Sequence, residues 1–257
     1  MPFRNPRTRI FVRVAAAKIF AGIRKFPILL DRTSSFLRLP MKKLLTALLS
    51  LMVCALAFPP AARADADPVI FDAGIDVGQR AILQSLAKNY LPQIAETLGV
   101  ELSAEPIHLG LTEDPSAPPG VTVGRRITLS APYLRAAPHD AGMFVHELVH
   151  VVQAYPGNVA PWWLLEGVAD YVRDYSLLRE PARWVAPADA DVRRGYTHAA
   201  ALLEHIVRTR HGGDAAALLR PLNAAFRRGE NGEAWLAARY GCTVDDFVRE
   251  MRARKKE

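Results

Sequence analysis

The stretch DAGMFVHELVHVVQAYPGN, residues 140–158, decides how the rest of this chain is read. Asp140 can accept the free N–H groups of a helix start, and Pro156-Gly157-Asn158 cannot continue a helix, so the spacing predicts one from Asp140 to about Tyr155. His146 and His150 stand four apart on it. One turn is 3.6 residues, so the two imidazoles share a face with their Cβ atoms about 5–6 Å apart. That suits two nitrogens converging on one zinc ion at about 2.0–2.1 Å each. Glu147 follows the first histidine, where its carboxylate can flank the metal without binding it and take a proton from a water the metal activates. Chance puts an H-E-x-x-H string into roughly one shuffled chain of this composition in a hundred, so the pair needs a third ligand.

The next stretch, PWWLLEGVADYVRDYSLL (residues 161–178), supplies candidates. Proline is tolerated in a first helical turn, so a second helix is expected from Pro161 to about Leu178. The short, turn-rich linker predicts that the two helices pack as antiparallel neighbours. Glu166 and Asp170 are again four apart on one face. Glu166 can reach the metal, and Asp170 can accept the remaining N–H of a ligand histidine and fix its tautomer. Asp170 as third ligand is the alternative. Val168, Ala169 and Val172 make the stretch read as buried, where an unpaired carboxylate is costly. Three protein ligands leave a position for water, the pattern of a catalytic rather than a structural zinc site.

Upstream, Asp76–Leu98 reads as a helix with Ile82, Leu83, Leu86, Tyr90, Ile94 and Leu98 at helical spacing, Pro92 as a kink or break and Gly99 as its stop. Residues 106–111 read as a strand and 112–120 as a loop. Val121-Thr122-Val123 and Ile127-Thr128-Leu129 flank Gly124-Arg125-Arg126 as a short hairpin or a bent edge strand. Downstream the chain reads as helical: about Tyr196 to Arg210, ended by Gly212-Gly213; Asp214 to about Arg228; and a last helix opened by Thr243 and Asp246 as a capping box. The expected fold class is α+β: a small N-terminal strand region with the histidine helix, then a mainly helical C-terminal part.

The formal charge of +7 invites a nucleic-acid partner, but it is unevenly placed. Residues 1–64 hold 12 of the 33 Lys/Arg and one acid, Asp31, while residues 65–257 hold 21 bases against 25 acids. No basic face remains, and a nucleic-acid role is not expected. Met41-Lys42-Lys43, the apolar run Leu44–Phe58 and Ala62-Arg63-Ala64 read as a secretory signal peptide cleaved near Ala64. The run is too short for a comfortable membrane span, so no stable insertion is expected after cleavage. Residues 1–40 read as an upstream extension, and 65–257 as a single domain, secreted or periplasmic. Cys54 falls in the leader, which leaves Cys242 unable to form an internal disulfide.

His146-Glu147-x-x-His150 followed by Trp163-Leu164-x-Glu166-Gly167-x-Ala169 resembles the gluzincin metallopeptidases. The string Glu166-Gly167-Val168-Ala169-Asp170-Tyr171-Val172-Arg173, with Gln153 after the first motif, resembles more closely the basic secretory protein family of plant and bacterial peptidases. The resemblance implies a thermolysin-like zinc core with His146, His150 and Glu166 as ligands, Glu147 as general base and Asp170 behind a ligand. It also implies an edge strand that pairs with an extended substrate; the strand ending in Ile127-Thr128-Leu129-Ser130 is the expected one. Aminopeptidases with a similar second motif carry a glutamate-containing G-x-M-E-N segment, and its lack here favours an endopeptidase.

A hydrolase needs a donor for the developing oxyanion. Tyr196, in Arg194-Gly195-Tyr196-Thr197-His198, is the candidate, His198 its competitor, and a core role for Tyr196 the bland option. His108, His139, His205 and His211 lack partners at metal spacing and read as structural or surface residues; Trp162 and Trp163 read as core. The expectation is therefore a Zn2+-dependent peptidase acting on peptide or protein substrates. The competing expectation is a zinc-containing binding protein of the same fold that hydrolyses nothing.

Overall fold

The computed structural model describes residues 67–253, apart from 139, 158–160, 180–183 and 187–188. Four strands form one sheet: β1 (Val69–Phe71), β2 (Ile107–Thr112), β3 (Gly120–Val123) and β4 (Arg126–Ser130), in the order β1-β2-β4-β3. β1, β2 and β4 run parallel, and β3 runs antiparallel to β4. Parallel neighbours need a crossover, and α1 (Val77–Leu98) provides the one between β1 and β2. β3 and β4 form the expected hairpin, with Gly124 turning at φ 58°. The strand expected at the edge, Ile127–Ser130, lies inside the sheet instead, because β2 pairs with it in parallel along its whole length. The edge on that side of the sheet is β3, and β1 is the other edge.

α1 starts where Asp76 accepts the Gln79 N–H and stops at Gly99, φ 68°. Pro92 does not break it. Pro92 and Lys88, whose carbonyl loses its partner, are both exposed, so water can satisfy that oxygen. The buried face is Leu83, Ala87, Leu91, Ile94 and Leu98; Ile82 points outward.

The helical part follows β4. It comprises α2 (Ala131–Ala136), α3 (Ala141–Gln153), α4 (Trp162–Tyr171), α5 (Tyr196–His211), α6 (Ala215–Arg227), α7 (Gly232–Tyr240) and α8 (Val244–Ala253). α3 is apolar on most sides, with Phe144, Val145, Leu148, Val149, Val151 and Val152 all buried, as befits a central helix. It packs on α1 and against β3. α4 lies closest to α5, where a Cβ on Gly167 would come within 2.4 Å of the Ala199 Cβ. The helix expected to run from Pro161 to Leu178 changes pitch after Tyr171 into a π-helical turn, Val172–Leu177, closed by Leu178 N–H on the Arg173 carbonyl at 2.8 Å. Thr243 and Asp246 cap α8 reciprocally, each backbone N–H on the other's side-chain oxygen. The expected extension and signal peptide, residues 1–64, lie outside the described residues. Among the described residues no helix is long and apolar enough to cross a membrane.

Candidate metal centre

Two helix ends set the frame. Asp140 accepts the Met143 N–H at 3.2 Å to start α3, and Ala154, at φ 44°, ends it. Between them His146 and His150 project from one face, as their spacing requires. α4 brings Glu166 to meet them. The His146 and His150 Nε2 atoms are 3.0 Å apart, and Glu166 Oε2 lies 3.1 Å from the first and 3.3 Å from the second. Asp170, one turn further along α4, points to the other side of the His146 ring, with Oδ1 2.6 Å from Nδ1. Glu166, not Asp170, is therefore the carboxylate that converges with both histidines.

Donors bound at 2.0–2.1 Å to a tetrahedral ion stand about 3.3 Å apart, which matches this triangle. Two imidazoles and one carboxylate are also a donor set that zinc accepts well. The charges around the triangle shift two of its members in opposite directions. Burial alone would depress His146, but the Asp170 and Glu166 carboxylates override it and raise the imidazole to about 9. Burial would raise Glu166, yet His146 and His150 hold it at about 2. The cluster draws positive charge to itself.

Behind the triangle lies a buried polar lattice. Arg173, in the π-helical turn, places Nη1 3.0 Å from Asp170 and grips Asp174 with two hydrogen bonds of 2.6 and 2.7 Å. All three are under a tenth exposed, so the arginine offsets a charge that would otherwise be costly there. On the other side, His150 Nδ1 lies 2.7 Å from Gln153 Oε1.

Glu147 is not one of the three converging groups, and its carboxylate meets the sheet. The Thr122 hydroxyl, on β3, donates to Glu147 Oε2 at 2.6 Å, and a Cβ at Gly120 would stand 2.6 Å from Oε1. The carboxylate thus rests on the edge strand, in an open cleft of about 700 Å³ that Thr122, His146, Glu166 and Tyr196 also line.

Tyr196 opens α5 with a left-handed backbone, φ 51°, and its ring centroid is 6.2 Å from that of His146. Burial, and then the carboxylates of Glu166, Asp170 and Glu147, raise its phenol, so the hydroxyl keeps its proton at neutral pH. His198 is engaged elsewhere, its Nδ1 accepting the Asp191 N–H at 3.2 Å. Trp163 is core, but Trp162 is not: it is 55 % exposed and meets Tyr196 edge-on at 6.1 Å. As the first residue of α4 it faces outward while its neighbour faces in. His205 is buried beside Glu250, His211 meets the Tyr240 hydroxyl, His108 is exposed on β2, and His139 lies outside the described residues.

Thr122, Gln153 and Arg173 were not anticipated as site residues. Gln153 and Arg173 each stand three residues after a group already singled out, so helical spacing could have found them. Nothing local points to Thr122, which arrives through the sheet.

Comparison with the curated proteins returned no match, and neither did comparison with the solved structures. A family profile did match: the one described as peptidase of plants and bacteria, BSP, over residues 120–251. The match takes in β3, β4, both helices that carry the triangle and the helical part into α8, just over half of the chain, and on it the protein belongs to this family of plant and bacterial peptidases, the basic secretory proteins.

Proposed function

We propose that the protein is a zinc-dependent peptidase of gluzincin type, an endopeptidase acting on extended peptide segments outside the cytoplasm. The observation that carries this reading is the triangle of His146, His150 and Glu166, whose facing atoms stand 3.0–3.3 Å apart beside a carboxylate that is not part of it. A purely structural site would need no such neighbour and would usually have a fourth protein ligand. Export agrees with the leader-like residues 41–64 and with the family's name. In this reading residues 65–257 are the working domain.

A divalent ion held by His146, His150 and Glu166 would supply Lewis acidity, making water acidic enough to deprotonate near neutral pH and polarising a peptide carbonyl. The chain's own groups do the rest. Glu147, held toward the cleft by Thr122, takes the proton of the attacking water and returns it to the leaving amine. Tyr196 donates its hydroxyl to the oxygen that gains charge. The free edge of β3 offers backbone groups to an extended substrate. Asp170 holds His146 from behind.

The direct test is composition together with turnover. The purified protein should carry about one zinc per chain and cleave a denatured protein; a chelator should stop cleavage, and added Zn2+ should restore it. A zinc-loaded protein inert toward broad peptide libraries would leave the non-catalytic binding protein as the reading. The donor role of Tyr196 makes a separate prediction. Tyr196→Phe keeps the ring against Trp162 and loses only the hydroxyl, so kcat should fall by about 10²–10³-fold with metal content unchanged. An unchanged kcat would remove Tyr196 from the mechanism.

A further inference from the structure

We infer that Gln153 is the positioning residue for the second histidine: it fixes the tautomer of His150 and ties that ligand to the helix bearing Glu166. The inference rests on the metal reading above but does not need the peptidase reading.

The assignment follows from one carbonyl. Gln153 Nε2 lies 3.3 Å from the Leu165 backbone oxygen. A carbonyl only accepts, so the amide must present its NH2 group there, and its oxygen must face His150. That oxygen also only accepts, so His150 Nδ1 has to carry the proton, donating across 2.7 Å. A neutral imidazole with its proton on Nδ1 has its lone pair on Nε2, the atom that points at His146 Nε2 and Glu166 Oε2. Exchanging the two ends of the amide would put two acceptors face to face at Leu165. Gln153 is 1 % exposed, so bulk water is poorly placed to take over its role.

The same side chain also links the ligand-bearing helices. It leaves α3 one turn after His150 and ends on α4 at Leu165, the residue before Glu166. Its own backbone carbonyl is held from a third direction. Arg227 of α6 donates Nη1 to the carbonyls of both Val152 and Gln153 at 3.2 Å each, closing the end of α3 where Ala154 turns left-handed. The two histidines are therefore held differently: His146 by a carboxylate shared with Arg173, and His150 by a neutral amide.

The test is zinc affinity measured by chelator competition on the full-length protein, with Gln153→Met and Gln153→Glu beside the wild type. Methionine fills a similar space with only a weakly accepting sulfur and no donor. It should weaken zinc binding by about 10–100-fold, the usual cost of losing a partner behind a ligand histidine. Glutamate restores an acceptor toward His150 but loses the donor to the Leu165 carbonyl, so it should recover only part of the loss. In the zinc-loaded wild type, 15N-edited spectra should place the His150 proton on Nδ1, and its exchange with water should quicken in Gln153→Met. Three results overturn the inference: Gln153→Met binding zinc as tightly as the wild type, a His150 proton that exchanges no faster in Gln153→Met, or a His150 proton on Nε2. If Gln153→Met fails to fold, the wild-type spectrum still decides. A wild type that takes up no zinc overturns the metal reading itself, a different result from any of these three.

Discussion

Glu147→Gln should hold its metal, keep its fold and lose its cleavage. Glutamine has the shape of glutamate, and Thr122 can still donate to its oxygen, so the side chain should stay where the carboxylate lies. The three converging atoms belong to other residues, so metal content has no reason to change. What disappears is the ability to take up a proton at that position. General-base assistance is worth about 10²–10⁴ in rate, which corresponds to roughly 3–5 kcal/mol of barrier. Measurement of zinc content, thermal midpoint and kcat on one preparation separates the effects. Undiminished turnover would end the mechanism, and loss of metal would mean that Glu147 contributes to the ion's site after all.

The second large effect is on the fold. Gly167 sits in the middle of α4, directly after Glu166. The rule for exposed helices says that replacing such a glycine should stabilise by up to about 1 kcal/mol. Here the sign reverses. An added Cβ would stand 2.4 Å from the Ala199 Cβ and 3.2 Å from the Ala199 carbonyl carbon, and Ala199 is fully buried with no flexible end to move aside. α4 and α5 would have to separate. Overpacking of this kind costs about 1–3 kcal/mol and sometimes more, so alanine should already destabilise and valine should reach the upper end. For a domain of this size each kcal/mol is roughly 2–4 °C of thermal midpoint. Gly167→Val should therefore melt well below the wild type and, since Glu166 moves with the helix, bind metal more weakly. A midpoint at or above that of the wild type would show that the two helices are not packed as closely as described.

What could be read in advance divides along physical lines. Features written in local spacing were legible. Asp140 starting α3, Gly99 and Gly212 stopping their helices, and the Thr243–Asp246 cap each depend on residues a few positions apart. The convergence of His146, His150 and Glu166 is legible for the same reason, since each helix sets its own face and a short linker brings the two faces together. Features that depend on distant partners were not. β1 is three residues long and exists only through its parallel neighbour, and β3 rather than β4 is the edge on its side because β2 pairs with the other side of β4. The assignment of the edge to Ile127–Ser130 failed on that account. Ile82 and Trp162 are apolar residues that face outward, and composition alone does not distinguish them from their buried neighbours Leu83 and Trp163. The π-helical turn that sets Arg173 between Asp170 and Asp174 has no accepted sequence mark.

The left-handed backbone at Tyr196 has a consequence for how such a chain can change. A non-glycine residue held at positive φ costs of order 1–3 kcal/mol, and one of the cheapest ways for random mutation to recover it is glycine at the same position. A lineage or a laboratory library selected only for heat resistance should drift toward that substitution. One selected on turnover should reject it, because the phenol facing the cleft goes with it. Position 196 is where the two selections are expected to part.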